Sequence, residues 1–188
     1  VEAYVEDTLK GGRGKNDRAL VEILAKESAA GVEWLEGMGA DLSEVKRSGG
    51  ARVDRTHRPT GGETVGPHIV KTLRAQAEKD GVPARLNSRA VRLIVDANHT
   101  VRGVVVEGKH SGTYTILAKV VVMAAGGFSA SQAMVGQYQP QFVGMTTSNQ
   151  PGATGDGMLI GEQGGGQLID MKEIQIHPTV AAGSRILL

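Results

Sequence analysis

The stretch "VVVMAAGGFSAS", Val120 to Ser131, runs through six apolar residues and stops at two glycines. A run that is apolar at successive positions reads as a strand covered on both faces, the kind that forms the centre of a parallel sheet. Its end, Ala124-Ala125-Gly126-Gly127, offers nearly bare main chain at the carboxyl edge of that strand, where open α/β sheets take their ligands. A tight strand-to-helix turn that binds nothing would look the same in this run alone.

Working outward, three more β-rich runs precede it: "ARLNSRAVRLIVD", "TVRGVVVEG" and "GTYTILA". The turn candidates between them are Asp96-Ala97-Asn98-His99 and Lys109-His110-Ser111-Gly112, so a three-strand meander feeding the apolar fourth strand is expected. Upstream of the meander, Pro67 suits the first turn of a helix with Ile69, Val70, Leu73 and Ala77 on one face, ended by Asp80-Gly81. From Ser43 to Gly66 periodicity fails, and a long loop is expected. Earlier still, Asn16 reads as the N-cap of a long surface helix whose face carries Leu20, Ile23, Leu24, Trp34, Leu35 and Met38, with Gly39 as its stop. Downstream, Ser129 to Gln139 and Thr154 to Gln163 suit short helices, and "GGQLIDMKEIQIHPTV" alternates weakly, as strand or extended chain. The fold class is α/β (α+β).

Composition narrows the function classes. The 188 residues carry 21 basic and 20 acidic side chains, a formal net charge of +1, so no electrostatic footprint for nucleic acid is expected. No cysteine occurs, which excludes disulfides, thiolate metal sites and a cysteine nucleophile. No apolar stretch approaches the roughly 20 residues of a membrane span, and no secretory signal pattern is expected at the start. Glycine is 27 of 188, about twice the usual share of roughly 7%, without a collagen period. These glycines read as places where main chain approaches a partner closely.

Two further segments bear on chemistry. In "TSNQPGATGDG", Thr147 to Gly157, the glycines and a following helix N-terminus favour close approach to a ligand, and Asp156 can accept from the hydroxyls of a cofactor. The alternative is a glycine-rich turn in which Asp156 only caps a helix; the spacing matches neither G-x-G-x-x-G nor a P-loop. Of the five histidines, none sits in a metal-ligand pair. His99 and His110 fall in turns, His68 opens a helix, and His57 lies beside Arg55 and Arg58 in a loop that is either an anion site or an ordinary basic loop. His177, in "IQIHPT", is held before a proline at the end of an apolar segment.

Taken in order, "DTLKGGRGKND", "THRPTGG", "VVMAAGGF", "NQPGATGDG" and "IQIHPT" resemble the soluble flavoprotein family of fumarate reductases, which includes flavocytochrome c and the urocanate and acrylate reductases. The likeness spans nearly the whole chain. It implies FAD as cofactor, and reduction of the activated C=C bond of an unsaturated carboxylate, fumarate first among them. The electron donor, a heme domain, an FMN domain or an NADH-linked partner, is expected outside this segment.

Residue by residue, the resemblance implies that Ala124, Ala125, Gly126 and Gly127 pass the adenosine-pyrophosphate side of FAD. It implies that Ala90 and Val91 pair main-chain groups with the adenine edge, that Asp156 contacts the cofactor, and that His177 binds a substrate carboxylate. The family's opening glycine fingerprint and its proton-donating arginine have no match here. A fragment is therefore expected: residues 1–171 as the central portion of the FAD-binding domain and 172–188 as the start of a capping domain, inactive alone and carrying no catalytic residue. Two other readings stand beside this one, a self-contained nucleotide-binding module without catalysis, and a related flavoenzyme acting on urocanate, an acrylate or a ketosteroid.

Overall fold

The computed structural model describes residues 1–47 and 49–176, and the chain forms two compact units, Val1–Ala84 and Arg85–Leu188. In the first unit, α1 (Glu2–Gly11) and α2 (Arg18–Gly37) pack through Val5, Val21 and Ala25, with Tyr4 and Leu9 against them. The cap of α2 is Asp17 rather than Asn16. The Asp17 carboxylate accepts from the amides of Ala19 and Leu20, whereas the Asn16 carbonyl oxygen is buried where a side chain at Gly12 would otherwise lie. The buried stripe of α2 also differs from the apolar face read in the sequence: Val21 and Ala25 are covered, while Leu20 and Trp34 are 65% and 62% exposed. The contact with α1 falls on these smaller residues, since small side chains let two helices approach closely.

The helix ends in paired bonds from Gly39 to Glu36 and from Ala40 to Leu35, with Gly39 at φ 94°. The same arrangement ends α3 (Val65–Lys79) at Gly81 and the later helix Asp156–Gln163 at Gly165, so part of the glycine excess serves helix ends rather than ligand approach.

The stretch expected as a loop contains a small hairpin, β1 (Glu44–Lys46) paired antiparallel with β2 (Thr56–Arg58). Polar tethers supply what hydrophobic periodicity lacks there. Asp7 accepts from the Arg52 main-chain and side-chain N–H groups and from Arg55, whose guanidinium lies 4.7 Å from the Tyr4 ring. The amide and hydroxyl of Ser43 and of Thr60 all donate to Asp41. These donors hold the Asp41 carboxyl well below the usual range, the Thr60 hydroxyl foremost. The main-chain amide of Asp41 donates to His68 Nε2, which gives that histidine its structural place.

In the second unit, β3 (Ser88–Val95), β4 (Val101–Gly108) and β5 (Gly112–Leu117) form the expected antiparallel meander. Val105 and Val106, neighbours on opposite faces of β4, are both buried, so the central strand is covered on both sides. The turns lie as read: the Asp96 carboxylate accepts from the amides of Asn98 and Thr100, with His99 at φ 58°. Two short helices follow, α4 (Gln132–Tyr138), capped by Ser131, and α5 (Asp156–Gln163). α5 lies on β3, with Ile160 buried and Gly164 set against Leu93.

The apolar run Val120 to Ala125 joins no ladder among the described residues, and Val120 and Val122 are 74% and 81% exposed. This corrects the expected fourth strand. A strand apolar on both faces needs hydrogen-bonding neighbours on both edges, and no described segment pairs with it. The tail through Ile176 likewise forms no strand.

Candidate functional site

The second unit draws its two glycine-rich segments together. The Gly155 amide donates to the Gly127 carbonyl (3.0 Å) and the Ala130 amide to the Ala153 carbonyl (2.8 Å). The Ser129 hydroxyl accepts from Thr147 Oγ1 (3.1 Å) and Asn149 Nδ2 (2.8 Å). Gly127 and Asp156, 29 residues apart in sequence, thereby sit on adjoining turns.

The small residues do not all serve one purpose. A Cβ built on Gly157 would stand 2.7 Å from the Cβ of Ala125, so Ala125 is small partly because the first turn of α5 rests on it. Gly126 and Gly127 differ: a Cβ on either meets nothing within 4 Å, and Gly126 adopts φ 76°. The space where their side chains would lie is open, Gly126 is exposed, and so is Ala124 beside them.

Between β3 and α5 lies a cleft of about 270 Å³, walled by Leu159 and Ile160 and bordered by Ala90, Val91, Arg89 and Asp156. Its volume falls just beneath the roughly 300–1,000 Å³ of sites that enclose a drug-sized ligand, which suits one end of an extended cofactor. At this point β3 is an edge strand, and its register with β4 shifts between Ala90 and Arg92, leaving Val91 without an opposite residue. A bulge on an edge strand exposes main-chain donors and acceptors that a regular ladder would use.

Asp156 opens α5. It accepts from Arg89 Nε (2.8 Å) and from Thr154 Oγ1 (3.0 Å). The Arg89 hydrogen bond foremost, with that of Thr154, holds its carboxyl below the ordinary range despite partial burial, so it is an anion at neutral pH. The main-chain groups at the bulge, a carboxylate and open glycine backbone form a donor and acceptor set that fits a nucleotide, which presents hydroxyls and ring nitrogens together.

Among known protein families, the FAD binding domain model matches residues 1–188. The chain belongs to the FAD binding domain family. Its cofactor is FAD. Relatives of this FAD-binding domain include a probable fumarate reductase, Ifc3, of Shewanella frigidimarina, 53% identical over 100% of the chain and 32% of the relative. A fumarate reductase (cytochrome) of Shewanella frigidimarina is 42% identical over 99% of the chain and 33% of its own length. The open conformation of a flavocytochrome c3 fumarate reductase superposes with a TM-score of 0.95 at 52% identity, covering 100% of this chain and 33% of that one. The chain thus spans about a third of the length of these relatives.

Of the positions read from the sequence, Ala90, Val91 and Asp156 border one cleft, and Ala124 to Gly127 form the turn beside α5. His177 lies outside the described residues. His57 is engaged internally, its Nδ1–H donating to the Leu42 carbonyl (2.9 Å), and Arg55 is held by Asp7. Arg89 and the walls at Leu159 and Ile160 are site residues that the sequence pattern does not single out. An arginine one position before Ala90 on a predicted strand was the available signal, but its partner is 67 residues away.

Proposed function

We propose that this chain is the central part of an FAD-dependent oxidoreductase that reduces the activated C=C bond of an unsaturated carboxylate, fumarate to succinate. The observation that supports it most is 53% identity, over the whole chain, to a probable fumarate reductase. On this reading the main chain of Ala90 and Val91 holds the adenine edge, Asp156 accepts from a cofactor hydroxyl, and Ala124 to Gly127 run beside the adenosine-pyrophosphate portion. Reduced FAD supplies the hydride when bound. This chain's residues preorganise the nucleotide half, so that little ordering remains to be done on binding. His177 donates to a substrate carboxylate, a role in which a charge-assisted bond offsets the cost of removing that anion from water. Residues 1–171 belong to the flavin domain on this reading, and 172–188 begin a capping domain. No residue of 1–188 is assigned the proton transfer. The electron donor lies outside this segment, a cytochrome being the donor type named in one relative.

The test is fumarate-dependent oxidation of a reduced viologen dye by the full natural polypeptide, with urocanate, an acrylate and a ketosteroid as competing acceptors. Turnover with fumarate that requires bound FAD is expected, and His177→Ala should raise KM for fumarate more than it lowers kcat. Residues 1–188 alone should give no turnover. Preference for urocanate or a ketosteroid would overturn the substrate assignment, and turnover by residues 1–188 alone would overturn the assignment of the proton transfer elsewhere.

A further inference from the structure

The cleft between β3 and α5 carries an imbalance of charge. Among the residues that line it, Asp156 and Glu107 are anions and the cation is Arg89. A nucleotide is itself anionic, so two carboxylates beside it oppose binding unless something offsets them. Arg89 is placed to do so. Its Nε donates to Asp156 Oδ2 at 2.8 Å, while both Asp156 and Glu107 favour its charged form. The same bond joins β3, where Val91 bulges, to the first residue of α5, and so ties together the two walls that carry the main-chain and carboxylate contacts.

We propose that Arg89 is a positioning residue for the adenosine half of the cofactor: it holds Asp156 against β3 and offsets the charge of Asp156 and Glu107, so that the cleft accepts a purine nucleotide. This rests on the reading of the cleft as the nucleotide subsite. Arg89 itself is 66% exposed and Asp156 33%, so the ion pair is weaker than a buried one. Its contribution is a tuning of affinity rather than an all-or-none requirement.

The experiment uses the full natural polypeptide freed of flavin, and reads FAD affinity by quenching of flavin fluorescence, AMP affinity by competition with FAD, and thermal unfolding of the flavin-free form. Arg89→Gln is expected to weaken FAD and AMP together by about five- to tenfold, in the range of one charge-assisted hydrogen bond partly open to solvent. Arg89→Lys should recover part of the loss, since charge returns without the planar fork. Glu107→Gln in the Arg89→Gln background should recover affinity too, by removing one of the uncompensated anions.

An unchanged FAD affinity in Arg89→Gln would overturn the proposal. So would a loss matched by a fall in the flavin-free unfolding temperature that neither Arg89→Lys nor Glu107→Gln relieves, since that is the mark of a merely structural residue. Failure of AMP to compete with FAD in the unsubstituted protein is a different result, and it would remove the nucleotide-subsite reading along with the proposal.

Discussion

Gly157→Ala tests how the first turn of α5 is seated. The added Cβ would stand 2.7 Å from Ala125 Cβ, with Met123 Cε at 3.6 Å, whereas carbon atoms rest at about 3.5–4.0 Å. Neither atom of the close pair is the end of a flexible side chain, so α5 or the 123–125 segment must move by about 1 Å. Overpacking of this kind costs about 1–3 kcal/mol, and replacing glycine by alanine within a helix returns up to about 1 kcal/mol. With the full offset the net loss is at most about 2 kcal/mol, or up to about 8 °C in unfolding temperature for a chain of this size. Because Asp156 precedes Gly157, the displacement also carries the carboxylate away from the cleft, and FAD affinity should fall about tenfold. Ala125→Gly in the same protein removes the opposing methyl and should restore both quantities. Differential scanning fluorimetry and a flavin titration on the two single variants and the double variant would decide it. Native FAD affinity in Gly157→Ala, or a double variant no better than the single, would refute the packing argument.

Other expectations follow from single contacts. Gly103→Ala should disrupt the meander, because its Cβ would stand 2.1 Å from the Ile116 carbonyl oxygen at φ 151°; overpacking and backbone strain together predict about 3 kcal/mol or more, read by chemical denaturation. Since the Arg89 and Thr154 hydrogen bonds lower the Asp156 pKa, its contribution to stability should be full above the unfolded value near pH 4 and vanish as pH falls through the lower folded value. Asp156→Asn should flatten that acid limb, and an unchanged pH profile would contradict the ion pair. Asp41→Ala should lower thermal stability more than Ser43→Ala does, since it removes the acceptor of both the Ser43 and Thr60 pairs.

Local signals reached the meander and its turns, because alternating apolar residues, an Asp-x-Asn turn and a Ser-Gly turn specify strands without help from distant chain. They also reached the neighbourhood of Gly127 and Asp156, through the resemblance of whole motifs rather than any one spacing. Contacts between distant residues were not legible. The hairpin Glu44–Arg58 is held to Asp7 and Asp41 by polar bonds that leave no hydrophobic period. The choice of Asp17 over Asn16 as cap turned on where the Asn16 side chain found room. The bulge at Val91 is a register event, visible only once β4 is alongside.

The run Val120 to Ala125 shows why a correct local reading can still miss the observed element. Its residues have the composition of a strand at the centre of a parallel sheet, and nothing in the observed backbone contradicts an extended path. Strand assignment, however, belongs to pairs of segments, since the ladder bonds are made between neighbours. An unpaired extended run at the surface leaves its polar main chain to water and its valines exposed, a state that favours any segment able to supply ladder partners and apolar cover. The Gly126-Gly127 turn keeps its place without them, because the Gly155 amide anchors it to the start of α5. The Gly126-Gly127 turn and the run leading into it therefore depend on different contacts, and substitutions at Val120 or Val122 should leave the Gly127–Gly155 bond intact, which amide hydrogen exchange at Gly155 would report.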